Sequence, residues 1–137
     1  MSSNGPNIIE LLRDPETTVA VVGATDNRYK YGSTIYRNLK HKGFVVFPIN
    51  PGRPTVDGDQ AYPDLASLPE QPTIINIVVP PEKTMAVLEE ARELGYSNVW
   101  IQPGAADDAV RDYVARHEMN TLIDACIMVQ ARPVAAH

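Results

Sequence analysis

Apolar residues gather along this chain in five short runs: TVAVVGA (18–24), FVVFPIN (44–50), IINIVVP (74–80), NVWIQPG (98–104) and TLIDAC (121–126). They are rich in Val and Ile and mostly continuous, as strands covered on both faces are. Helical spacing fills the stretches between them. The first opens at Ser33, a good N-cap, and sets Ile35 and Leu39 four apart. It closes in KHKG, with basic residues in the last turn and Gly43 just beyond. Pro81-Glu82 starts a helix that carries Met85, Leu88 and Ala91 on one side and stops at Gly95. Asp107-Asp108 announces another, with Val110, Tyr113, Val114 and His117 on one face. NIIELL near the N-terminus predicts a short leading helix.

Residues 51–72, PGRPTVDGDQAYPDLASLPEQP, break this rhythm with five prolines and two glycines. A helix there spans at most a turn or two around PDLASL. Strand–crossover–strand units of this kind predict right-handed connections. The expected fold is α/β: a Rossmann-like three-layer arrangement around a five-stranded parallel sheet, with strand order 3-2-1-4-5. No internal repeat, linker or low-complexity segment interrupts it.

Composition narrows the picture. At 137 residues, 44% apolar and 21% charged, the chain reads as one domain, residues 1–137, of ordinary globular character. Its apolar runs are too short to cross a bilayer, and MSSNGPN lacks the basic start and apolar stretch of a secretory signal. A lone cysteine, Cys126, excludes an internal disulfide framework and suits the cytoplasm. A net charge of −5 argues against a broad nucleic-acid surface. An anionic ligand must therefore be held by local features.

In doubly wound sheets the ligand crevice lies beyond the C-terminal strand ends, where the chain order reverses. Those ends read GATDNRYKYGS, PINPGR, VVPPEK, IQPGAA and DACIM, with Asp26, Arg28, Lys30, Arg53 and Asp124 as candidate charges. The first loop leads into a helix N-terminus at Ser33–Thr34, where unpaired N–H groups and the helix dipole favour phosphate. Gly32 allows a close backbone approach, and Lys30 or Arg28 adds charge; the turn itself also wants glycine. An NAD site usually places an acid at the second strand end, whereas this chain offers Asn50 and Arg53. A guanidinium beside the adenosine ribose points to a phosphate on that sugar, hence to NADP or coenzyme A. The alternative is a solvated loop arginine.

Together, GAT…KYGS…L…KGF.V.P.NP and LPE…I.NIVVPPEKT…EEA.E.G…VWIQPGA resemble the stand-alone CoA-binding proteins. These are similar to the N-terminal CoA-binding domain of the succinyl-CoA synthetase α subunit and of ADP-forming acyl-CoA synthetases. The resemblance runs from about Val19 to Val129. It implies that Gly23, Ala24, Thr25, Tyr31, Gly32 and Ser33 hold the pyrophosphate end of CoA. It likewise implies that Asn50, Pro51 and Arg53 form the 3′-phosphate turn, that Val79 and Pro80 back the adenine, and that Gln102, Pro103 and Gly104 face the pantetheine arm. The synthetase reaction uses a phosphorylated histidine in a following domain, which these residues do not include.

A catalytic constellation is not evident. His41 falls at a helix C-terminus away from the crevice, His117 on a core-facing or boundary position, and His137 at the chain end, so no histidine is placed as a general base. Cys126 is either a small buried apolar residue or a thiol whose pKa a nearby helix N-terminus lowers. Trp100 is expected in the core, and Tyr29 and Tyr31 either cover a ligand or pack on the sheet edge. No metal-ligand spacing occurs. Taken with the resemblance, the residues argue for a protein that binds CoA or an acyl-CoA and does no chemistry alone. Two alternatives stay open: an NADP- or NAD-binding redox enzyme or sensor, and an interaction subunit with a relic crevice.

Overall fold

The computed structural model describes residues 7–134. A short helix, α1 (Ile8–Leu11), is capped by the Asn7 side chain, which accepts from the Ile9 amide. It precedes β1 (Thr18–Val22), α2 (Tyr31–His41) and β2 (Val45–Ile49). After a two-stranded hairpin, β3 (Thr55–Val56) and β4 (Asp59–Gln60), come β5 (Ile74–Ile77), α3 (Pro81–Leu94), β6 (Val99–Ile101), α4 (Asp108–Arg116), β7 (Thr121–Ile123) and α5 (Ile127–Gln130). The five main strands are parallel, and alternate positions on them feed two apolar layers. Val19, Val21, Ile74 and Trp100 face α1, α2 and α5. Ala20, Val22, Ile75, Ile77, Val99 and Ile101 face α3, α4 and the Leu65–Leu68 turn. The α/β Rossmann-like class read from the sequence is the observed one.

The strand order is not the expected one. The sheet runs β2-β1-β5-β6-β7, or 2-1-3-4-5 when only its own strands are numbered. The third sheet strand pairs with β1, Val19 beside Ile74, instead of extending outward from β2. Pro48 explains why. It has no N–H, so a strand containing it belongs at an edge. Its carbonyl accepts from the Tyr62 amide on the outer side, and Asn50 N–H returns a bond to Tyr62 O. The proline-rich crossover thus seals the β2 edge and returns across the sheet. The opposed connections from β1 and β5 place the switch point between those two strands.

Helix α2 begins two residues earlier than Ser33. Lys30 occupies the N-cap in extended conformation without a side-chain cap bond, and Ser33 lies inside the first turn, 2% exposed. Ile35, Tyr36 and Leu39 are fully buried beneath it. α3 ends at Gly95 and α4 starts from Asp107, whose carboxylate accepts from the Val110 amide. His117 is exposed and packs against Tyr113 at 4.3 Å between ring centres, so of the two placements its spacing allowed, core-facing or boundary, it does not take the core-facing one. The PDLASL stretch forms no helix. In its stead, the crossover contains the β3–β4 hairpin, turned by Asp57 (φ 50°) and Gly58 (φ 79°). An Asp-Gly pair with both residues left-handed is a favoured two-residue hairpin turn.

That hairpin is fastened to α2. Tyr36 Oη donates to Asp59 at 2.6 Å, and Lys40 Nζ lies 2.8 Å from Asp59 and 3.0 Å from Asp57. Burial first, then the Asp59 hydrogen bond, pushes the Tyr36 phenol far above its ordinary range. Lys40 and then Tyr36 hold the Asp59 carboxyl below its usual value. A depressed carboxyl contributes stability above its unfolded pKa of about 4 and loses it as pH falls through the lower folded value. Asp59→Asn is therefore expected to flatten the acid limb of a stability–pH curve below about pH 4. An unchanged acid limb in urea titrations would mean the network adds nothing.

Candidate functional site

At the switch point a cleft of about 1070 Å³ opens beyond the C-terminal ends of β1, β2, β5 and β6. Cofactor pockets commonly hold roughly 300–1,000 Å³, so this one suits a large ligand. The β1–α2 loop contributes Gly23, Thr25, Lys30, Tyr31 and Gly32 to its lining. From the β2 end come Asn50, Pro51 and Arg53, from β5 Val79 and Pro80, and from β6 Pro103 and Gly104. The topology therefore gathers one cleft from residues up to 83 positions apart, Val22 to Ala105.

Three residues singled out with these do not line it. Ala24 is fully buried, and its carbonyl accepts from Asn50 Nδ2 at 2.9 Å. Ser33 is inside α2, where its Oγ accepts from Arg37 Nε at 3.3 Å. Gln102 follows β6 with its side chain on the α5 side of the sheet. Its Oε1 accepts from the Ile127 amide at 2.9 Å and its Nε2 donates to Cys126 Sγ at 3.5 Å. Strand alternation is the reason: residues 100 and 102 share a face, and Trp100 is fully buried there, its Nε1 donating to Ala125 O at 2.7 Å.

Local chemistry sets the shape of the cleft mouth. Gly23 has φ 106° and Gly32 packs on it so closely that a Cβ on Gly32 would stand 2.0 Å from the Gly23 carbonyl oxygen. This approach brings the uncapped mouth of α2 down onto the strand end. Asn50 ties the two loops together, donating to Ala24 O while its Oδ1 accepts from the Gly52 amide at 2.8 Å. Arg53 crosses the mouth to Asp26, Nη1 to Oδ2 3.5 Å, and Asp26 Oδ1 accepts from the Asp57 amide at 2.7 Å. Asp26 is thus the resident anion beside Arg53. Both side chains are about two-fifths exposed, so this pair is weak.

The remaining candidates lie elsewhere. Asp124 is bound by both oxygens to Arg111 Nη2 at 2.9 and 2.7 Å, on the β7 side. Arg28 and Tyr29 are exposed on the loop, outside the cleft lining, and His41 is exposed at the end of α2. His137 lies outside the described residues. Sequence reading missed the α3 wall. Lys83, Val87 and Glu90 line the cleft opposite Pro63, Asp64 and Leu65. Their i, i+4, i+7 spacing, starting just after the Pro-Pro at a strand end, was the available signal. The cleft therefore combines three cations, Lys30, Arg53 and Lys83, with helix-mouth amides and aliphatic and proline walls. That mixture fits a ligand with several phosphates and a sizeable apolar or planar part.

Cys126 caps α5 and is half-buried; Tyr31 Oη lies 3.7 Å from its sulfur. Burial raises the thiol's pKa, but hydrogen bonds from Gln102, Tyr31 and the Met128 and Val129 amides outweigh it, and the net shift is downward. Because Cys126 is the sole cysteine, its alkylation can be read directly. Tyr31→Phe is expected to move the pH midpoint of iodoacetamide labelling upward. An unmoved midpoint would mean that Tyr31 is not a donor to the sulfur.

Comparison with known proteins bears on this cleft. The family model described as CoA binding domain matches residues 17–132. The acetate–CoA ligase [ADP-forming] II subunit alpha of Pyrococcus furiosus is 33% identical over 84 residues, 61% of this chain; the matched part is 18% of that subunit. A conserved hypothetical protein from Pyrococcus furiosus superposes with TM-score 0.80 at 36% identity, covering 83% of this chain and 98% of that one. The dinucleotide-forming acetyl-coenzyme A synthetase 1 of Ca. Korarchaeum cryptofilum, solved with phosphate and ADP, gives TM-score 0.67 at 27% identity, over 84% of this chain and 26% of its own. Since the family match spans nearly the whole fold described above, the chain belongs to the CoA binding domain family.

Proposed function

We propose that this protein binds coenzyme A or an acyl-CoA in the switch-point cleft and performs no chemistry on it alone. The observation that carries the reading is the meeting, in one cleft, of the uncapped α2 mouth over Gly23 and Gly32 with the Arg53 guanidinium. Peptide N–H groups and the positive end of the helix dipole hold a pyrophosphate at the mouth, with Lys30 adding charge. Arg53 takes the 3′-phosphate by a charge-assisted bond, exchanging Asp26 for the ligand. The base lies against Val79 and Pro80, and the pantetheine arm leaves past Pro103 and Gly104. Lys83 supplies a further cation from α3. Asn50 acts through its loop bonds more than by contact.

No histidine lines the cleft among the described residues. The chain spans 18% of the first ligase subunit above, so any part in an acyl-CoA ligase reaction rests on further domains or partners. Gently purified protein should release CoA or an acyl-CoA on denaturation, identified by mass spectrometry, and calorimetry of the emptied protein should show saturable heat with CoA. Release of a nicotinamide dinucleotide, with heat for NADP and none for CoA, would transfer the reading to a redox protein. No heat with any of these would leave a relic crevice.

A further inference from the structure

We infer that Glu90 reads the base of the ligand, selecting a purine with a 6-amino group over one with a 6-oxo group; this rests on the CoA reading of the cleft. Lys83, Val87 and Glu90 share one face of α3, and Pro63 and Leu65 stand across from them. Val79 and Val87 belong to one apolar cluster and line the cleft with Pro63, giving aliphatic and proline surface of the kind on which a flat heterocycle is held by dispersion and desolvation. Two charged side chains of α3 border it, Lys83 and Glu90. Glu90 Oε1 accepts from the Leu65 amide and Oε2 from the Ala66 amide, both at 3.2 Å.

Those bonds fix the carboxylate against the wall and leave a free acceptor site on each oxygen, because an ionised carboxylate offers about four lone-pair positions and no donor. Among the described residues no cation pairs with Glu90. A fixed, unneutralised acceptor beside that apolar surface calls for a donor from the ligand. On the edge of the base that carries N7, where we place Glu90, a 6-amino purine supplies an N–H donor, whereas a 6-oxo purine offers only the lone pairs of its oxygen and N7. The other carboxylate on the lining, Asp64, is exposed and held at one oxygen only, Oδ1 by the Ser67 amide at 3.0 Å, so it is solvated and less fixed than the half-buried Glu90.

The test is calorimetry with CoA and with its hypoxanthine analogue, on the native protein and on Glu90→Gln, with thermal unfolding to check the fold. The native protein should prefer CoA by about 30-fold, the effect of one charged hydrogen bond gained against one repulsive contact. Glu90→Gln, whose amide both donates and accepts, should bring the two ligands within about threefold. If Glu90 only braces the Leu65–Ala66 backbone, both ligands weaken together and the ratio stays, which overturns the inference. Should Glu90→Gln fold poorly, Glu90→Asp, with its acceptor drawn back from that surface, should lower the same ratio; an unchanged ratio overturns it too. Equal native affinities for both ligands would remove the base assignment and leave CoA binding standing. No binding of either would remove both.

Discussion

Replacing Arg53 by Glu is expected to weaken CoA binding by about 100-fold while changing dephospho-CoA by no more than about threefold. A hydrogen bond between charged groups is worth about 1.5–3 kcal/mol, roughly 10- to 150-fold, and reversing the charge adds repulsion. Only CoA carries the 3′-phosphate, so the two ligands isolate this contact from every other one in the cleft. The native Arg53–Asp26 pair, 3.5 Å apart, makes a companion variant informative. Asp26→Asn keeps an oxygen for the Asp57 amide but removes the competing charge, and it should strengthen CoA by a few-fold and dephospho-CoA hardly at all. Equal losses for both ligands in Arg53→Glu would place the 3′-phosphate elsewhere, with Lys83 the next cation to examine.

Gly32→Ala should lower the melting temperature by roughly 10 °C, from a loss of about 3 kcal/mol, and weaken CoA binding as well. A methyl group at this position would lie 2.0 Å from the Gly23 carbonyl oxygen and 2.9 Å from its carbon. Those are backbone atoms, so no side chain can rotate away; α2 must lift from the strand end. Lifting it separates Ile35, Tyr36 and Leu39 from the sheet and draws the helix-mouth amides away from the cleft. Thermal unfolding and CoA titration on one sample check both effects. If stability and affinity were both preserved, the Gly23–Gly32 approach would not be what shapes the mouth. A glycine read from sequence as room for a ligand thus has a second reason, the packing of the protein on itself.

Much of the architecture was legible because it rests on local rules. Continuous Val/Ile runs marked the strands, and Gly95 and Asp107 marked helix ends through their own backbone and side-chain chemistry. Even the edge position of β2 was written in Pro48, although the expected strand order did not use it. The hairpin was signalled by Asp57-Gly58 but obscured by the surrounding prolines. The start of α2 was less legible, because Lys30 caps it with no side-chain bond while Ser33 has the chemistry of a cap without the position.

By itself the sequence determined that strands and helices alternate, that glycines follow β1, and that a basic residue, not an acid, follows β2. These are consequences of backbone preference and apolar period, which act over a few residues. Only the tertiary structure decided that β5 returns beside β1, because strand pairing depends on which edge is open. That choice created the switch point and brought α3 to the cleft, adding Lys83, Val87 and Glu90. It also turned Gln102 away, since sheet alternation gives its side chain to the face that buries Trp100. Side-chain direction and partner choice, Arg53 with Asp26 and Glu90 with the Leu65 and Ala66 amides, arise from residues brought together across the sheet, which no local window contains.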